Sequence, residues 1–120
     1  SPTASDVDGG NKRVALTVGQ IVDVEITAPD AGWLVDFTRR LIADRLVASG
    51  NIAPVRSVYR WGGTIEDRTE HLVVLHTQRV HLAEIIERTL AEHPYEVPGL
   101  RAAEVDTRPA YAAWVVDSTR

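Results

Sequence analysis

The stretch His93-Pro94-Tyr95-Glu96-Val97-Pro98 constrains this chain more than any other. Pro94 lacks a backbone N–H and biases His93 away from helical φ/ψ. The segment before it carries Leu82, Ile85, Ile86 and Leu90 at helical spacing. A helix over residues 80–92 must therefore stop at or just before His93. Pro98 holds Val97 extended and opens a further strand. Between the two prolines an imidazole, a phenol and a carboxylate sit at a stiff helix-to-strand corner.

The remaining elements fall around that corner. Residues 1–13 are small, polar and without periodicity, and are read as a disordered tail. Residues 14–120 are read as one domain, since 120 residues suit a single core. Residues 20–27 alternate, with Val22, Val24 and Ile26 on one side and Ile21, Asp23 and Glu25 on the other. Asp23 and Glu25 can pair on a cation or line a solvated or interface face. Asp30 is placed to cap a helix running to about residue 48, with Leu34, Phe37, Leu41, Ile42 and Leu46 as its buried stripe. Gly50 stands where a left-handed helix end is wanted. Residues 51–61 read as a strand, Gly62-Gly63 as a hairpin turn, and residues 64–75 as the return strand. The polar arm over residues 64–70 extends the hairpin past the core and suits pairing with another chain. Residues 100–105 form a last strand, and Pro109 starts a short helix carrying Tyr111, Trp114 and Val115.

This order is β-α-β-β-α-β plus a short C-terminal helix. It predicts a ferredoxin-like α+β fold: an antiparallel sheet with helices on one face. An uncovered sheet face and a long hairpin predict self-association.

Charge and composition exclude several functions. A net charge of −4 argues against a nucleic-acid binder that covers phosphates. No apolar run is long enough for a membrane span, and no signal-peptide pattern is visible. With zero cysteines there is no disulfide framework and no thiolate metal site. A cytoplasmic location is expected. Catalytic signatures are missing: there is no Gly-x-Ser-x-Gly elbow, no Gly-x-x-x-x-Gly-Lys loop and no nucleophilic Cys. The chain is not read as an enzyme.

Five motifs in order carry a specific likeness. They are Thr27-Ala28-Pro29-Asp30, Asn51-Ile52-x-Pro54, Tyr59-x-Trp61-x-Gly63-x-Ile65, the His93–Pro98 corner, and Tyr111-x-x-Trp114. Over roughly residues 20–119 the chain resembles the CutA family of divalent-cation tolerance proteins. The resemblance implies a homotrimer built by strand pairing between subunits. It also implies a role in tolerance or homeostasis of copper and other divalent metals, and a kinship to PII-type signalling trimers. The chain departs from the family pattern at Ile26 and Ser49, where relatives often carry Cys, and at Gly62, Thr64 and His76. A thiolate copper site does not carry over. Imidazole and carboxylate ligands point instead to Cu(II), Zn(II) or Ni(II), bound weakly. No cofactor is required.

The metal-ligand candidates are His93, Glu70 and Glu96. His93 is a good ligand at a stiff corner, and it can also close the helix end on a free carbonyl. Glu70 can ligate or pair with an Arg; Glu96 can ligate or pair with Arg101. Tyr59, Trp61, Tyr95 and Trp114 are assigned to a subunit cleft or interface. His76 can meet Asp23 or Glu25 across neighbouring strands. The alternative function is a PII-like trimer that takes a small molecule or anion at subunit clefts and reports it to a protein partner.

Overall fold

The computed structural model describes residues 4–8 and 13–120. Strand β1 is Ala4–Asp8 and β2 is Arg13–Ala28, followed by helix α1 at Ala31–Ala43. Strands β3, Ser49–Trp61, and β4, Thr64–Gln78, form a hairpin. A single 3-10 turn leads into α2, Leu82–Glu92; β5, Leu100–Thr107, and α3, Pro109–Ser118, complete the chain. The main strands lie in the order β5-β2-β4-β3, every neighbour antiparallel. This is the ferredoxin-like arrangement.

The N-terminal segment differs from the expected tail. Ala4–Asp8 pairs antiparallel with the first part of β2, from Ala4 opposite Thr17 to Asp8 opposite Arg13. The extended lead-in of β2 offers a row of backbone donors and acceptors, and β1 satisfies one edge of it. The rest of the expected tail, residues 1–3 and 9–12, lies outside the described residues.

The alternation in β2 sets the two faces of the sheet. Val22, Val24, Ile26 and Ala28 are buried with Leu34, Phe37 and Leu41 of α1, Val73 and Leu75 of β4, and Ile85 of α2. Ile21 points the other way, into a second cluster with Ala112 and Val115 of α3. The two long helices thus share one face, and α3 covers one end of the other.

Helix α1 starts as its sequence predicts: the Asp30 carboxylate accepts from the N–H groups of Gly32 and Trp33, at 3.3 and 3.2 Å. It ends five residues before the expected boundary at 48. Arg45 adopts φ 60, its N–H bonds the Ile42 carbonyl, and Leu46 N–H reaches back to Leu41 at 2.9 Å. That is a Schellman closure with Arg in the left-handed position where Gly is usual. The Arg45 side chain is held there by donating to the carbonyls of Asp117 and Arg120, at 2.7 and 3.1 Å. Gly50 is therefore not a helix end. It lies in β3 beneath α1, where an added Cβ would meet Thr38 Cγ2 at 2.8 Å.

The hairpin turn is a two-residue loop, Gly62-Gly63, with φ of 59 and 82. Two positive φ values give the turn twist that matches flanking strands. Strand β4 pairs with β2 only from His71 onward, while its first seven residues pair with β3 alone. The hairpin thus projects beyond the sheet as a two-stranded ribbon.

Candidate functional site

One face of the ribbon is built by period-2 alternation. Along β4 it carries Glu66, Arg68 and Glu70, set opposite Tyr59, Ser57 and Val55 of β3. The facing wall is the corner between α2 and β5. Together they enclose a cleft of about 820 Å3.

His93 fixes the corner. It ends α2 with φ −65 and ψ 138, its N–H bonded to Thr89 at 2.9 Å. Its ring lies edge-on to Trp33 at 5.1 Å, and Trp33 in turn stacks on Phe37. Nε2 is 2.7 Å from the Thr27 carbonyl, and Nδ1 is 2.9 Å from the Tyr95 N–H. A carbonyl only accepts and an amide N–H only donates. One neutral tautomer, protonated at Nε2, serves both partners. The imidazole is 9% exposed and does not line the cleft. Both of its nitrogens are occupied, so the corner uses His93 as a brace rather than presenting it to a metal.

The brace positions Tyr95. Its hydroxyl donates to Glu70 Oε2 at 2.8 Å. Burial first, and then the hydrogen bond and charge of Glu70, push the Tyr95 phenol up to about 12. Glu70 is 5% exposed. Its other oxygen, Oε1, has no hydrogen-bond partner among the described residues. Glu70 thus pairs with a phenol and not with the expected Arg. Glu96 is exposed and lines the same cleft. It is not paired with Arg101, which instead meets Glu25 at 2.5 Å.

The structure therefore brings Glu70, Glu96, Tyr59, Trp61 and Tyr95 to one cleft and leaves His93 behind it. Trp114 lies elsewhere, on α3 at the opposite end of β4, beside Tyr111 at 5.7 Å. Two lining residues outside the candidate set are Glu66 and Arg68, 3.8 Å apart. Their signal was available: they share the parity of Glu70 along one strand. Arg56 also lines the cleft but is held in a fork by Asp67, at 2.8 and 2.7 Å, which keeps the Asp67 carboxyl below its usual range.

On the same face of the sheet, His76 Nδ1 meets Asp23 at 2.8 Å and Nε2 meets Asn51 at 2.7 Å. Asp23 and Glu25 thus each have a separate partner and do not form a carboxylate pair. Among the described residues, no group of three or more His, Asp or Glu is gathered as a metal site within the single chain. No described helix is long and apolar enough to cross a membrane.

Residues 22–118 match the family model described as CutA1 divalent ion tolerance protein. The chain is 31% identical over 101 residues to the divalent-cation tolerance protein CutA of Pyrococcus horikoshii, covering 83% of this chain and 99% of the relative. It is also 31% identical over 106 residues to the chloroplastic protein CutA of Arabidopsis thaliana, covering 87% of this chain and 58% of that one. Among solved structures, CutA from Xylella fastidiosa superposes with a TM-score of 0.80 at 31% identity, covering 84% and 99% of the two chains.

Proposed function

The chain belongs to the CutA1 family of divalent ion tolerance proteins, and from that premise we propose that it acts as a homotrimer binding divalent cations weakly through cleft carboxylates. The observation that carries this reading is Glu70. Its carboxylate is nearly buried, one oxygen is fixed by Tyr95, and the other is unpartnered in a cleft that Glu96 also lines. That second oxygen opens to the cleft, where a carboxylate can ligate a cation. With His93 held behind the cleft the ligands are oxygens, which suit hard cations such as Mg(II) or Mn(II) and hold Cu(II) or Zn(II) only weakly. The ribbon supports the trimer. Its exposed apolar side chains, Val58, Trp61 and Ile65, call for cover.

The test is calorimetric titration of Cu(II) and of Zn(II) into the protein beside Glu70→Gln and Glu96→Gln. Saturable binding weakened at least tenfold in Glu70→Gln is the expected result. Absence of saturable binding in the unmodified protein sinks the metal reading.

A second reading is favoured by Arg68, a guanidinium one rung from Glu70 on the same face. A bare metal ion leaves that cation facing like charge. In this reading the trimer is a PII-like sensor: a small molecule enters the cleft and the ribbon reports it to a protein partner.

A further inference from the structure

The second reading leaves the ligand unnamed, and the cleft lining restricts its chemistry. Arg68 and Glu70 are two residues apart on one face of β4, so their side chains start about 6.6 Å apart and can converge on one small group. Each has capacity left. The Arg68 side chain is 60% exposed, with a long contact to Glu66 at 3.8 Å. Glu70 keeps Oε1 without a partner among the described residues. A simple anion would be repelled by Glu70, and a simple cation by Arg68. A ligand that carries both charges about 3 Å apart, as the N–Cα–C unit of a free amino acid does, satisfies both groups with charge-assisted hydrogen bonds. Tyr59 and Tyr95 line the same cleft, and their rings suit an apolar or aromatic side chain. Glu70, Tyr59 and Arg68 all lie near enough to the Tyr95 phenol to act on its charge.

We propose that the cleft recognises a free aromatic α-amino acid, its ammonium on Glu70, its carboxylate on Arg68 and its ring against Tyr59 and Tyr95. The inference rests on the small-molecule reading of the cleft. It does not require a metal.

The experiment is calorimetry in the presence of EDTA with three probes: L-phenylalanine, N-acetyl-L-phenylalanine and L-phenylalaninamide. The acetylated probe lacks the ammonium and the amide lacks the carboxylate. Saturable binding of L-phenylalanine is expected, with each blocked form at least tenfold weaker. Arg68→Gln should weaken L-phenylalanine at least tenfold and leave the residual binding of the amide unchanged. Glu70→Gln should do the same for L-phenylalanine and spare the acetylated probe. Equal binding of all three probes overturns the amino-acid assignment while leaving a small-molecule cleft in place. No binding of any probe overturns the amino-acid assignment. Binding that needs Cu(II) and disappears in EDTA overturns the assignment in favour of the metal reading.

Discussion

The Tyr95 hydroxyl donates to Glu70 Oε2 at 2.8 Å, joining a helix-to-strand corner to a strand 25 residues away in sequence. This bond ties the two walls of the cleft together. It also holds one carboxylate oxygen so that the other faces the cavity.

That bond has a pH signature. The folded Tyr95 phenol is pushed from 10.0 up to about 12, first by burial and then by Glu70. Between those values the folded state holds a proton that the unfolded chain has lost, so stability falls as pH rises. The stabilisation is fully present below about pH 10 and is lost by about pH 12. Urea midpoints measured across that range should decline, and Tyr95→Phe should flatten the decline. An equal slope in both proteins removes Tyr95 as its source.

His93→Ala tests the brace. It leaves the Thr27 carbonyl and the Tyr95 N–H without their partners. Two unsatisfied backbone groups cost about 2–4 kcal/mol, read as a lower denaturation midpoint. The same variant should keep the Cu(II) affinity of the parent wherever it remains folded. A stable variant that has lost Cu(II) binding would return the imidazole to the metal set.

Gly50→Ala tests the packing of β3 beneath α1. The new Cβ would meet Thr38 Cγ2 at 2.8 Å, Val73 Cγ2 at 3.1 Å and Leu75 Cδ2 at 3.2 Å. Overpacking of this kind costs about 1–3 kcal/mol. A melting temperature equal to the parent's would show that Thr38 gives way freely.

Assembly is tested on the ribbon. Trp61 is 53% and Ile65 70% exposed in the single chain. Sedimentation of the unmodified protein should give a three-protomer mass at micromolar concentration. Trp61→Asp with Ile65→Asp should shift it toward smaller species. A monomer in the unmodified protein sinks the trimer.

The fold was legible because its signals are local. Alternation in Val22, Val24 and Ile26 fixed a face, Asp30 marked a helix start, Gly62-Gly63 marked a turn, and Pro94 stopped α2. The end of α1 was not legible. Leu46 continues the apolar stripe of the helix, yet it is buried through a closure that places Arg45 in left-handed space. Nothing local announces that exception. It depends on the carbonyls of Asp117 and Arg120, far along the chain. The site was legible in part for the same reason. Glu70, Glu96, Tyr59, Trp61 and Tyr95 share a cleft, but whether His93 turns toward it depends on the Thr27 carbonyl, a partner 66 residues away. Arg68 reads in the sequence as one of four arginines, with Arg56, Arg60 and Arg79, that could favour an anionic ligand, and nothing local sets it apart from the others until the facing wall is in place.

The two glycines of the hairpin turn act at a distance. Strand β4 is anchored to β2 from His71 onward, so a lost turn residue can be absorbed only by β3. Sliding β3 one step would reverse its phase. Tyr59 and Trp61, which share the face of Glu66, Arg68 and Glu70, would turn to the opposite face of the ribbon, and Val58 and Arg60 would take their places. The chemistry at Glu70 lies six residues beyond Thr64, about 20 Å along the strand, yet the aromatic half of its surroundings is indexed by the count of residues in that loop. Length at the tip is therefore part of the recognition code, and an insertion there would rewrite the cleft without touching a single residue that lines it.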